Sequence, residues 1–173
     1  MTLDEVKALI VDVPDFPTPG IVFKDITPLL ADASGFGAVV DHLAERAGAY
    51  PADAVFGIES RGFIFGAALA QRLGLPLHLV RKKGKLPRET VSIGYELEYG
   101  VDHLEVHRDA LVSGLRCLVV DDVVATGGTA QATGRLIEQQ DAGVAAFLFV
   151  LELGFLNGRN RLLSWNVESL IEY

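Results

Sequence analysis

A chain of 173 residues, 50% hydrophobic and 22% charged, is sized for one globular domain with a substantial core. No apolar run approaches the roughly 20 residues of a bilayer span, no signal-peptide pattern surrounds Asp4 and Glu5, and the single cysteine, Cys117, cannot form an internal disulfide, so a cytoplasmic protein with no membrane partner is expected. The net charge of −8 speaks against a nucleic-acid partner; any anion site has to be made locally, and basic clusters become informative.

Residues 2–11 have the spacing of a short amphipathic helix, with Leu3, Val6 and Ile10 covering a neighbour and Thr2 or Asp4 near its start. Three prolines and a glycine crowd residues 13–20, which demands an ordered extended or turning segment. An apolar extended stretch follows over 21–27. A helix is expected over 34–49, capped by Ser34, with His42 as a surface or packing residue. Residues 54–58 read as a buried strand that ends in Glu59-Ser60-Arg61-Gly62-Phe63, and 64–73 as a helix whose alanines and glycines permit close packing on a sheet. Arg61 is a fixed-charge bidentate donor that suits a diphosphate oxygen; taken in isolation, an ordinary ion pair with Glu59 explains it better.

Residues 77–80 form a third strand that enters Arg81-Lys82-Lys83-Gly84-Lys85-Leu86-Pro87-Arg88, five positive charges in eight residues. Leaving the sheet at the same end as the glycine loop described next, this run points to neutralisation of a polyanion. Alternation of apolar and polar residues from 90 to 107 about Gly100 predicts a β-hairpin outside the main sheet, with His103 and His107 exposed on it. Gly84 and Gly100 would be the hinges of a lid that closes over a reacting centre.

The informative stretch begins at 115–120, an apolar run rich in β-branched residues and containing Cys117, as expected of a strand buried on both faces of a parallel sheet. Asp121 and Asp122 end it, Ala125-Thr126-Gly127-Gly128-Thr129 follow, and 130–140 read as a helix. Paired glycines let backbone N–H groups approach an anion, and the helix start adds unpaired donors and partial positive charge. Thr126 and Thr129 can donate hydroxyl hydrogen bonds to the same phosphate, and Thr126 can cap the helix. Two carboxylates beside a phosphate site need hydroxyls or a cation, and a ribose 5-phosphate satisfies both halves. Neither the dinucleotide fingerprint nor a P-loop occurs. A further strand over 144–151, a short helical piece over 156–163 and a terminal strand over 165–171 complete the chain, with no metal-ligand cluster and no hydrolase triad in the sequence.

Residues 119–129, Val-Val-Asp-Asp-Val-Val-Ala-Thr-Gly-Gly-Thr, resemble the phosphoribosyl-diphosphate (PRPP) motif of the type I phosphoribosyltransferases. Residues 16–30, Glu59-Ser60-Arg61-Gly62-Phe63, the basic run from Arg81 to Pro87 and Glu98-Tyr99-Gly100 resemble, in order, segments of the adenine phosphoribosyltransferase family within it. The resemblance implies an α/β fold of three layers, a mainly parallel central sheet flanked by helices, as one domain over 1–173 with an N-terminal hood (1–33) and a hairpin lid (81–107). It implies that Val22, Phe23 and Lys24 bind adenine, that Ser60, Arg61, Arg81, Lys82 and Lys85 bind pyrophosphate, and that Ala125 to Thr129 bind the phosphate of PRPP or AMP. Asp121, Asp122 and Glu98 would be catalytic, with Tyr99 on the lid. Adenine and PRPP would give AMP and pyrophosphate, with magnesium bound through the diphosphate and without a direct protein ligand, in a homodimer. It further implies a cis peptide at Glu59-Ser60. Two other readings stay open: an enzyme for a 6-oxopurine such as xanthine or guanine, and a non-catalytic PRPP-sensing regulator of the same fold.

Overall fold

The computed structural model describes residues 1–96 and 101–173. They divide into two compact units, Met1–His42 and Leu43–Tyr173.

In the first unit, Thr2 starts α1 (Leu3–Lys7) with a capping box: its hydroxyl accepts the Glu5 N–H at 3.3 Å, and the Glu5 carboxylate accepts the Thr2 N–H at 2.7 Å. The helix ends well before residue 11, because Val11 is already paired with Asp25 in an antiparallel ribbon of β1 (Val11–Pro14) and β2 (Val22–Asp25). The proline-rich segment is the connection of this ribbon, and its Phe16-Pro17 bond is cis. Phe16 and Phe23 meet edge to face at 5.2 Å, and Lys24 pairs with Asp12 across the strands at 2.6 Å. A short α2 (Thr27–Ala31), not foreseen from the sequence, carries Pro28 in its first turn, where the missing N–H costs nothing. The cap of α3 (Ala33–Ala47) is Asp32 and not Ser34: the Gly35 N–H donates to Asp32 Oδ1 at 2.7 Å.

The second unit is built on a seven-stranded sheet. Its strands are β3 (Ala54–Ile58), β4 (Leu77–Lys82), β5 (Thr90–Glu96), β6 (Val101–His107), β7 (Arg116–Val124), β8 (Gly143–Glu152) and β9 (Val167–Glu172), in the spatial order β5-β6-β4-β3-β7-β8-β9. All pairs from β4 to β9 are parallel, while β5-β6 and β6-β4 are antiparallel. With α4 (Gly62–Leu73) packed on β3 and β7, and α5 (Gly128–Glu138) packed on β5 and β8, this is the expected α/β class with a mostly parallel central sheet flanked by helices. Among the described residues no helix is long and apolar enough to cross a membrane.

Two expectations are corrected. The hairpin does not lie outside the sheet: Arg81 pairs with Glu105 and Lys82 with Leu104, so β6 extends the sheet past β4. Leu104, Glu105 and Val106 are consecutively buried, and His103 and His107 are half-buried rather than exposed, as a paired strand requires. Secondly, β7 runs through the acidic pair to Val124, with Asp121 opposite Phe149 and Val123 opposite Leu151 on β8.

The core lies where β3, β7 and β8 are sealed on both faces. Every residue of β3 is buried, and Phe56, Phe147 and Phe149 are fully enclosed together with Phe65 of α4. Burial of this kind stabilises by about 1.5–3 kcal/mol per large apolar side chain. Cys117 sits in the same layer; burial pushes its thiol up to about 12, which makes it an inert packing residue.

Candidate active site

Parallel pairing of β3 with β7, Ala54 opposite Cys117 through Gly57 opposite Val120, brings the carboxyl ends of these two strands side by side. That is where ligands bind in open α/β sheets. A cavity of about 320 Å³ opens there, lined by Glu59, Ser60 and Arg61 after β3 and by residues 121–130 after the middle of β7.

Successive residues of a strand point to opposite faces, and Asp121 and Asp122 are both strand residues, yet both border the cavity. Asp122 is buried and its Oδ2 accepts the Nε–H of Arg61. The Oδ1 of Asp121 accepts the Asp122 N–H at 2.9 Å and lies against Gly62, where an added Cβ would come within 2.8 Å of it. Burial, and then the charge of Asp122, raise the Asp121 carboxyl well above its ordinary range. The Asp121 carboxyl therefore resists ionising beside Asp122.

Beyond Val124 the chain bends away from β8. Gly127 has φ 78°, a left-handed conformation natural to glycine, and is itself the N-cap of α5; the Thr126 hydroxyl takes no part in the cap and is exposed. The first N–H groups of α5 have no intrahelical partner and point towards the cavity end of the helix. Thr129 follows at the first turn, where its hydroxyl meets that of Tyr95 from β5.

The Glu59-Ser60 peptide is cis, as the resemblance implies. Arg61 pairs with Asp122. The Glu59 carboxylate instead takes Arg81, Nε at 3.1 Å and Nη2 at 3.2 Å, and the Lys82 N–H at 3.0 Å. Burial alone would raise Glu59, but Arg81 and the Lys82 N–H bring it below its ordinary value. Arg81 also donates to the Lys85 carbonyl at 3.0 Å, Lys82 pairs with Asp102 at 3.2 Å, and the Lys85 side chain is exposed. Buried Glu105 accepts the N–H groups of Lys85 and Leu86 at 3.1 and 3.0 Å, which pins the backbone of the basic run.

Of the residues singled out by sequence, Ser60, Arg61, Asp121, Asp122 and Ala125 to Thr129 share one cavity wall, and Arg81, Lys82 and Lys85 lie outside that lining. Val22, Phe23 and Lys24 belong to the ribbon of the first unit. Glu98 and Tyr99 fall outside the described residues. Sequence reasoning missed Tyr95, hidden in a strand alternation, and Gly158, whose backbone abuts the glycine loop at Ala125 and Gly127 with no motif to mark it.

Residues 30–154 match the family model described as the phosphoribosyl transferase domain. The adenine phosphoribosyltransferase of Francisella philomiragia is 54% identical over 100% of both chains, and that of Chloroflexus aurantiacus likewise 54% identical over 100% of both. The crystal structure of adenine phosphoribosyltransferase from Thermoanaerobacter pseudethanolicus superposes with a TM-score of 0.96 at 48% identity, covering 99% of this chain and 100% of that one. The enzyme from Saccharomyces cerevisiae, crystallised with an imino-altritol bisphosphate and adenine, gives 0.91 at 41% identity over 97% of each chain. With this fold, this cavity and relatives matched from end to end, the chain belongs to the adenine phosphoribosyltransferases of the type I phosphoribosyltransferase family and has their activity in purine salvage, forming AMP from adenine and PRPP.

Proposed function

We propose that the cavity between Ser60 and Thr129 is where the 5-phosphoribosyl group passes from pyrophosphate to adenine, with each lining residue in a distinct role. The observation that carries this reading is the sharing of one wall by a carboxylate pair, an arginine and a glycine-bent helix start. The N–H groups of Ala125 to Thr129 and the hydroxyls of Thr126 and Thr129 hold the 5-phosphate. Asp121 and Asp122 take the ribose hydroxyls and favour the positive ring that develops as pyrophosphate leaves C1. Arg61 and the backbone at Ser60 stabilise the departing anion, and Lys82 and Lys85 approach it from the basic run. In a homodimer, Arg81 would serve the site across the subunit interface.

Val22, Phe23 and Lys24 recognise the base: Phe23 offers a stacking ring, and a backbone carbonyl of an extended segment accepts from a 6-amino group and repels a 6-oxo group. Glu98 exchanges a proton with the purine, and the lid bearing Tyr99 keeps out water that would hydrolyse the diphosphate. Among the described residues no group of three or more His, Cys, Asp or Glu could cage a metal ion. A neighbouring carboxylate pair fits magnesium of the kind that keeps most of its ligands from substrate phosphates, and Asp121 and Asp122 would face such an ion through the ribose hydroxyls. Bound there, magnesium would neutralise charge on the diphosphate. The site's setting would be the cytoplasm.

Incubation of the protein with PRPP, magnesium and, in turn, adenine, guanine, hypoxanthine and xanthine tests the reading. AMP and pyrophosphate should form from adenine, with little nucleotide from the others. Comparable rates with a 6-oxopurine would overturn the assignment of the base.

A further inference from the structure

We propose that Gly158 is a positioning residue for the phosphoribosyl substrate, its bare backbone serving as the rigid backing of the phosphate loop. The proposal rests on the reading that Ala125 to Thr129 hold the 5-phosphate. A loop that binds an anion through its N–H groups must hold them aimed before the ligand arrives, yet two adjacent glycines are the residues least able to hold a conformation unaided. Something has to press on them from behind.

Gly158 does so. A Cβ built on Gly127 would lie 2.3 Å from the Gly158 carbonyl oxygen, and one built on Gly158 would lie 2.1 Å from the Ala125 carbonyl oxygen and 2.8 Å from the Gly127 nitrogen. Two backbones thus touch with no room for a side chain on either. Gly158 is buried and is absent from the cavity wall, so it meets the face of the loop away from the ligand. Its own φ lies outside the left-handed region, which means that space and not backbone conformation requires glycine there.

The backing is itself anchored on both sides. Arg159 grips the Glu152 carboxylate at the end of β8 through Nε at 3.0 Å, and donates to the Val167 carbonyl of β9 at 2.9 Å and the Ser169 hydroxyl at 3.3 Å. On the other side, Gln131 of α5 donates to the Arg161 carbonyl at 3.1 Å. Loop, helix start and sheet edge are locked through one short segment.

The test is a KM-against-kcat comparison in three variants: Gly158→Ala, Arg159→Gln, and Thr126→Ala combined with Thr129→Ala. A loop displaced by even ~1 Å loses preorganised contacts, so Gly158→Ala should raise the KM for PRPP roughly 10- to 100-fold while the KM for adenine stays within about twofold. Arg159→Gln, which introduces no clash, should shift the same constant several-fold in the same direction and keeps the test alive should Gly158→Ala fail to fold. A merely structural role would lower the active fraction, and hence kcat, with KM for PRPP unchanged; that result in either folded variant overturns the proposal. The threonine double variant separates the two claims: if it raises KM for PRPP and the other variants do not, the backing role falls and the phosphate site stands. If it too leaves that KM unchanged, the reading of the loop falls with it.

Discussion

Arg61 donates its Nε–H to the Oδ2 of Asp122, so the guanidinium that lines the cavity is tied to the second of the two carboxylates in β7. Each holds the other in place: Asp122 is almost wholly buried, and Arg61 keeps much of its surface open for a ligand. In the proposed roles, Arg61 would offer fixed positive charge to a leaving anion and Asp122 negative charge to the sugar, with both charges ready without reorganisation.

Asp122→Asn should lower turnover roughly 100-fold, the scale on which removal of one preorganised electrostatic contact acts, with the circular dichroism spectrum unchanged. The amide still accepts from Arg61, which preserves the local structure, but it carries no charge to the ribose. Steady-state rates at the wild-type level would remove Asp122 from the mechanism.

Asp121→Asn should stabilise the protein at neutral pH. The folded-state value of the Asp121 carboxyl lies above the ordinary 3.8, because of burial and then the Asp122 charge, so the folded chain binds more protons than the unfolded one. Stability is therefore lost as pH rises from that ordinary value towards the raised one, and a neutral amide escapes the loss. Melting temperatures taken from acid to neutral pH should diverge in favour of the variant, by about 2–4 °C for each kcal/mol recovered. Equal melting curves at neutral pH would contradict the raised Asp121 carboxyl.

Gly127→Ala combines a left-handed φ of 78° with a Cβ 2.3 Å from the Gly158 oxygen. The first effect alone costs about 1–2 kcal/mol. Thermal shift with added AMP reads the outcome: the wild-type melting temperature climbs with ligand concentration, as binding to the folded state alone demands, whereas the variant should melt lower and respond little.

Glu105→Gln should loosen the basic run. Burial acts to raise this carboxyl, but the N–H groups of Leu86, Gly84 and Lys85 outweigh it and leave it below the ordinary 4.5. Its stabilisation is therefore present above that value and is lost as pH falls through the lower, folded-state one. Charge-assisted bonds of this kind contribute about 1.5–3 kcal/mol. The variant should show a flatter acid limb in a urea-melt series and a several-fold weaker affinity for pyrophosphate; an unchanged acid limb would count against the role of Glu105.

The sheet and the glycine loop after β7 were legible in the sequence because their signals are local. The apolar run of β3 fits a buried strand, and an acidic pair followed by a glycine loop and a helix suits a sugar phosphate. What escaped depends on distant partners. The burial of Glu105 follows from pairing β6 onto β4, which no alternation pattern announces. Arg61 reaches Asp122 because parallel pairing of β3 and β7 sets it beside the acidic pair, while the Glu59 carboxylate takes Arg81. Gly158 carries no motif at all; only its contact with Gly127 marks it.

A crystal structure with AMP bound tests the central claim most directly. The 5-phosphate should lie on the N–H groups and hydroxyls of residues 125–129, with both ribose hydroxyls facing Asp121 and Asp122. Nucleotide density elsewhere on the chain, or a sugar turned away from the two carboxylates, would contradict the account.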